Sequence, residues 1–218
     1  MNAEFLVVGL GAFGRNVALS LAEAGQSVLA VDSSRDTVQA LSPRLDAVVC
    51  ADATDEAALR ELGVDRVSCA VVAIGAESRE ASILATAILH QIGVPRIVGR
   101  AVSELHARVL RAVGAHEVIS PEVEMGQRLA RRLAHPNVFE RIDLGALTTL
   151  AEVAVPESFA GQSLVDLGVR RKVGVTVVAI RRGAVTLASL EGSEVLASGD
   201  VLVVIGPEAA IERLADLA

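Results

Sequence analysis

Near the amino terminus, Gly9-Leu10-Gly11-Ala12-Phe13-Gly14 has the residue types and spacing of a phosphate-binding turn. In a G-x-G-x-x-G segment the first glycine makes a tight turn and the second lets the backbone approach a phosphate. The third lets helix and strand pack closely. A helix opening there turns free N–H groups and positive partial charge toward the anion. Three glycines at this spacing are weak evidence alone, and their context is what strengthens them. An apolar run, 5–8, precedes them, and a second apolar run ends in Asp32, 18 residues after Gly14. A carboxylate there, with Ser33 beside it, accepts hydrogen bonds from both ribose hydroxyls and repels a 2′-phosphate, which favours a nucleotide other than NADP.

A second polar loop, Ala51-Asp52-Ala53-Thr54-Asp55, follows the third apolar run. Thr54 or Asp55 suits a helix N-cap. Asp52 either shapes that turn or binds the exocyclic amine of an adenine. Ala73-Ile74-Gly75 ends the fourth run, where apolar backbone suits the ribose. Catalytic equipment is not apparent. Of the four histidines (His90, His106, His116, His135) none has a partner resembling a dyad. The roughly 80 residues after His135 contain neither His nor Cys, and there is no G-x-S-x-G, HExxH or Walker A. A nucleotide site without such groups reads as a sensor rather than an enzyme.

The elements that must position these residues follow from periodicity. Strand-like runs at 5–8, 27–31, 47–50, 67–74, 96–99 and 117–119 alternate with helical patterns at 13–24, 35–41, 55–62, 78–91, 103–113 and 122–134. That alternation predicts an α/β fold, a Rossmann-like doubly wound parallel sheet with right-handed crossovers. His135-Pro136-Asn137 breaks the series. A short amphipathic piece (138–142), a strand at 151–155, a short helix at 164–168 and a strand at 173–181 follow. A turn at Arg182-Gly183 leads to its hairpin partner at 184–187, then a strand at 200–205 and a helix at 207–217. The second part therefore reads as a small α+β module. The divisions are 1–120, a connecting helix and linker at 121–142, and 143–218.

Composition sets the class. Hydrophobic residues are 52% of the 218, yet aromatics are 2% with no Trp or Tyr, and the mean hydropathy is +0.50. Ala, Val, Leu and Ile therefore supply the apolar content, as buried parallel strands require. The longest stretch free of Asp, Glu, Lys and Arg, 81–95, is too short to span a bilayer, and the N-terminus lacks the basic region of a signal peptide. A net charge of −7 with four Phe as the only aromatics argues against nucleic acid. Cys50 and Cys69 lie in apolar runs and are expected to be buried, reduced thiols in a cytosolic protein.

Taken together the chain resembles the RCK-containing, TrkA-N/TrkA-C family of regulatory subunits of Ktr/Trk potassium-uptake systems, over nearly its whole length. The likeness rests on the glycine loop, Val31-Asp32, the loop 51–55 and Val71-Val72-Ala73-Ile74-Gly75. Further on it rests on Val113-Gly114-Ala115 and on Ile119-Ser120-Pro121-Glu122 leading to Met125-Gly126. It implies an N-terminal domain that senses ATP, ADP or NAD(H), a small RCK-C domain, and a homodimer assembling into an octameric ring. That ring would dock on a membrane potassium-transporting subunit at the inner face of the cell membrane. Gly9, Gly11, Ala12, Phe13 and Gly14 would hold phosphates, Asp32 and Ser33 the ribose, and Asp52, Ala53 and Thr54 the adenine side. Arg100 is either a basic group near the phosphates or a surface charge. Glu122 is either a ligand for Mg²⁺ or Ca²⁺ at the dimer interface or a first-turn glutamate favoured by the helix dipole. Val178-Ala179-Ile180-Arg181-Arg182 matches a stretch that binds cyclic di-AMP in some relatives, with Ile180, Arg181 and Arg182 as candidate contacts, although Ala188-Ser189 stands where Ser-Pro is usual; the alternative is two arginines solvated at a turn. One loop position also departs: some relatives carry an Arg where this chain has Ala12, and Arg15 follows about one helical turn on. Arg15 either substitutes or marks a preference for NADH or ADP. Two rival readings are a small NAD-dependent oxidoreductase and the regulatory subunit of a cation/proton antiporter.

Overall fold

The computed structural model describes residues 4–217, in two units that divide between Glu124 and Met125. The first unit alternates strand and helix: β1 (Phe5–Val8), α1 (Ala12–Glu23), β2 (Val28–Asp32), α2 (Arg35–Leu41), β3 (Ala47–Cys50), α3 (Glu56–Glu61), β4 (Cys69–Val72), α4 (Arg79–Ile92), β5 (Arg96–Arg100), α5 (Glu104–Ala112) and β6 (Glu117–Ile119). Helix α6 (Pro121–Ala134) follows. The six strands form one parallel sheet in the order β3-β2-β1-β4-β5-β6. The order reverses between β1 and β4, where such sheets take ligands at their carboxyl edge.

The apolar runs build this sheet because both of its faces are covered. Leu6, Val8, Ala70, Val72 and Ile97 pack into one core, while Val7, Ala30, Val71 and Ala73 pack into another. Alternate residues of a strand point to opposite faces, so an unbroken run of Val and Ala satisfies both sides. Each fully buried Val or Leu contributes about 1.5–3 kcal/mol. Local signals set the helix ends. Ser34, Asp55 and Ser103 cap α2, α3 and α5 by accepting backbone N–H groups, and Gly93 ends α4 in the left-handed region.

The second unit contains β7 (Val138–Asp143), β8 (Thr149–Ala154), α7 (Leu164–Leu167), α8 (Val169–Lys172), β9 (Thr176–Arg182), β10 (Val185–Leu187), β11 (Val201–Gly206) and α9 (Glu208–Ala215). Its five strands make an antiparallel sheet in the order β10-β9-β11-β8-β7. Val153, Ile180, Leu202, Val204, Ile211 and Leu214 lie at the centre of its core.

Three expectations are corrected. The amphipathic piece at 138–142 is a full strand, β7. It is the sheet's edge, so Phe139 and Ile142 stay exposed and the strand's alternation is blurred. Cys50 is exposed, not buried, because it is the last residue of the edge strand β3, whereas Cys69 on central β4 is buried as expected. The hairpin turn sits one residue later, at Gly183-Ala184, with Arg182 already paired to Val185. Among the described residues no helix is long and apolar enough to cross a membrane.

Among the described residues Asp200 is the one buried acid, 2% exposed. It accepts from Arg182 Nε and Nη2 and from the Ala197 N–H. The Arg182 guanidinium holds its carboxyl below the usual range. Asp200→Ala should therefore destabilise the second unit by about 2–4 kcal/mol, the scale for removing hydrogen bonds to a charged group, as read by denaturant unfolding. The pair's contribution is fully present above the unfolded Asp value near 3.9 and is lost as pH falls through the depressed folded value. The variant should accordingly show a flatter acid limb than the parent.

Candidate functional site

The carboxyl ends of the parallel strands bring the chemistry-bearing loops to one edge of the first unit. Backbone hydrogen bonds stitch them together: Gly9 N–H to Val31 O (2.8 Å), Ala73 N–H to Val8 O (2.7 Å) and Ala51 N–H to Asp32 O (3.1 Å). The glycine loop, Asp32, the start of the 51–55 loop and 73–75 are therefore neighbours. The glycines do different things. Gly9 has φ +87°, and a Cβ there would stand 2.9 Å from Ile74 N, so conformation and space both demand glycine. At Gly14 a Cβ would sit 1.8 Å from Gly9 O and 2.8 Å from Ala73 Cβ, which is the close helix–strand approach. Gly11 differs: its φ is −61°, and a Cβ there would meet nothing within 4 Å. Nothing in the fold requires glycine at 11. Open space beside the backbone is what an approaching phosphate needs.

Gly11 is the N-cap of α1, which has no side-chain cap and no acidic residue in its first turn. Its first N–H groups are left to a ligand or to solvent. Asp32 is half-buried and already works on the loop. Its Oδ2 accepts from Leu10 N–H at 2.6 Å and its Oδ1 from Ser34 N–H at 2.8 Å. The spacing predicted a ribose acceptor and missed this second role, although acceptance from the residue two on is a habit of Asp that a sequence can suggest. Ser33 is exposed, and its carbonyl faces Cys50 Sγ at 3.5 Å.

Asp52 is exposed and accepts from Thr54 N–H (2.9 Å) and Thr54 Oγ1 (2.8 Å). These bonds hold its carboxyl below the usual range, since both favour the charged form. Asp55, not Thr54, caps α3. Ala53 and Ala73 are buried, so their contribution to a ligand is through backbone and shape. Arg100 ends β5, and its guanidinium lies 5.8 Å from the centre of the Phe13 ring. It also pairs with Glu122 on the first turn of α6, and that hydrogen bond lowers the Glu122 carboxyl's pKa. The structure thus joins Phe13, Arg100 and Glu122, a grouping that sequence separation concealed. Arg15 is exposed on α1. Among the described residues no cluster of three His, Cys, Asp or Glu side chains could hold a metal.

The other candidate stretch is engaged within the second unit. Ile180 is fully buried, Arg181 pairs with Glu152 at 2.8 Å, and Arg182 binds Asp200. An open recess of about 430 Å³ nearby is lined by Leu164, Val165, Arg170, Arg171, Thr176 and Val177. The histidines stand in different settings. His106 is buried on α5. His116 accepts from Ile97 N–H and its ring lies near that of His90. His135 is 3.7 Å from Glu212.

Comparison with known proteins agrees with this architecture. Residues 5–121 match the TrkA-N domain and residues 150–218 the TrkA-C domain. The Ktr system potassium uptake protein C of Bacillus subtilis (strain 168) is 37% identical over 213 residues, covering 98% of this chain and 96% of that protein. A structure of the GsuK channel bound to NAD superposes with a TM-score of 0.66 at 19% identity, covering all of this chain and 39% of the channel chain. A structure of GsuK bound to ADP gives 0.53 at 19% identity, over 61% of this chain and 35% of that one. The chain therefore spans well under half of those channel chains, and at this identity the likeness to them is one of fold.

Proposed function

This chain belongs to the TrkA-N/TrkA-C family, with the Ktr potassium-uptake proteins among its relatives, and on that premise we propose that it is a nucleotide-sensing regulatory subunit. It would gate a membrane potassium-uptake system from the cytoplasmic side without catalysis of its own. The observation that carries the ligand reading is Gly11, a glycine that neither backbone conformation nor packing explains. Gly9, Gly11 and Gly14 with the free end of α1 take the phosphates of ADP, ATP or NAD(H), and Ala12 and Phe13 supply N–H groups. Asp32, with Ser33, takes the ribose and disfavours a 2′-phosphate. Asp52, Ala53 and Thr54 border the adenine, Ala73-Ile74-Gly75 the ribose face, and Arg100 the phosphates.

Gating requires that one ligand bind one state of the assembly better than the other, because equal affinity shifts nothing. The assembly proposed is a homodimer built into an octameric ring on the potassium-transporting subunit. Glu122 is the proposed contact for Mg²⁺ or Ca²⁺ between protomers.

A thermal-shift screen with calorimetric titration of ADP, ATP and NADH tests the reading, with and without Mg²⁺ or Ca²⁺. A ligand that binds only the folded state stabilises by about 2.7 kcal/mol at 100 times its Kd, so at least one should raise the midpoint clearly, and NADPH should do so least. No shift with any adenine nucleotide would refute nucleotide sensing. Cyclic di-AMP is a further arm, whose effect should vanish in a variant of the 180–182 stretch.

A further inference from the structure

Arg100 is placed between two electrostatic partners. Its side chain is only 16% exposed and stands at the end of β5. On one side lies the ring of Phe13, the second residue of α1, 5.8 Å away. On the other is the Glu122 carboxylate, reached through Nη2. Arg100 Nε is buried and has no hydrogen-bond acceptor. A guanidinium carries five donors in a planar fork, and leaving one of them buried and unsatisfied is unfavourable. The pairing with Glu122 therefore uses Arg100 incompletely, next to the helix end where phosphates would arrive.

We propose that Arg100 is a two-position switch. Without nucleotide it pairs with Glu122, and the phosphates of a bound nucleoside di- or triphosphate draw it away, freeing the Glu122 carboxylate at the head of α6. The inference rests on the nucleotide reading of the glycine loop. The relative strengths favour the exchange. Glu122 is 61% exposed, and exposed ion pairs are weak, whereas Arg and phosphate make bidentate, charge-assisted bonds. Glu124, in the same turn, is occupied by the Ser120 N–H and does not compete for Arg100. Nucleotide binding would thus leave an unpaired carboxylate in the first turn of α6, the helix that leads out of the first unit.

The test is calorimetric titration of ADP into the full-length chain with a chelator present, so that no bridging cation contributes. Glu122→Gln removes the competitor and should tighten ADP about two- to fivefold, the scale of an exposed ion pair. Arg100→Gln should weaken ADP about tenfold, and in that background Glu122→Gln should have no effect. Adenosine, which has no phosphate, should bind the parent and Glu122→Gln equally. If Glu122→Gln leaves ADP affinity unchanged or weakens it, or if its effect persists in the Arg100→Gln background, the switch is wrong although the nucleotide site stands. If the parent binds neither ADP nor ATP, the switch is wrong; if it binds no adenine nucleotide at all, NADH included, the nucleotide reading fails with it.

Discussion

Gly11→Ala and Gly14→Ala should separate ligand binding from folding. Alanine at 11 meets no atom within 4 Å and adopts φ −61° without strain. As a poorer N-cap than glycine it should lower stability by no more than about 1 kcal/mol. Its methyl group occupies the space beside the α1 N-terminus, so nucleotide affinity should fall tenfold or more while the unfolding midpoint stays near the parent's. Alanine at 14 would drive its Cβ to 1.8 Å from Gly9 O. Only a shift of helix against strand relieves that contact, and overpacking of this kind costs about 3 kcal/mol. Gly14→Ala should therefore lose both stability and binding. Calorimetry beside a denaturant curve reads both. A Gly11→Ala protein that binds as tightly as the parent would remove the reason for assigning phosphates to this loop.

Asp32→Ala is the second large effect. The carboxylate holds the loop through Leu10 N–H and the β2–α2 turn through Ser34 N–H, and in the proposed complex it also accepts from the ribose. Losing charge-assisted bonds on this scale, at roughly 1.5–3 kcal/mol each, should weaken ADP about 100-fold. Asp32→Asn keeps one acceptor and removes the charge. It should weaken ADP less and, by removing repulsion, narrow the discrimination against NADPH. Equal ADP affinity in all three proteins would exclude Asp32 from the site.

How far the sequence reveals this molecule differs between its parts. The first unit is legible because each β–α step carries its own signals: apolar runs buried on two faces, Ser or Asp caps, and glycines at the helix ends. The second unit is less so. Its sheet order, with β11 between β8 and β9, is set by long-range pairing that leaves no local trace. Its edge strand β7 shows exposed Phe139 and Ile142 and so lacks a clean alternation. Cys50 shows the same limit, since an apolar run does not reveal whether its strand lies at the centre or the edge.

In the site, the spacing of Gly9, Gly11, Gly14 and Asp32 is readable because the motif is contiguous with the elements that hold it. The approach of Arg100 to Phe13 and Glu122 joins residues 87 and 22 positions apart, and only the order of the sheet brings them together. That the third glycine serves packing is legible in the motif, and the structure adds its tightness, 1.8 Å from a Cβ at Gly14 to Gly9 O.

The Arg182–Asp200 pair also specifies how strands align. Arg182 closes β9, and Asp200 lies just before β11, where Val201 pairs with Arg181. Side chains alternate along a strand, so sliding β9 by one position would turn Ile180 out of the core and point the arginine to the opposite face. A slip in one direction would set Gly183 in place of Arg182 and leave the enclosed carboxylate without a counter-charge, which is unfavourable; a slip in the other would bring Arg181 there, but only by turning Ile180 out of the core. The ion pair and the buried Ile180 thus act together, the second disfavouring a slip that the first tolerates.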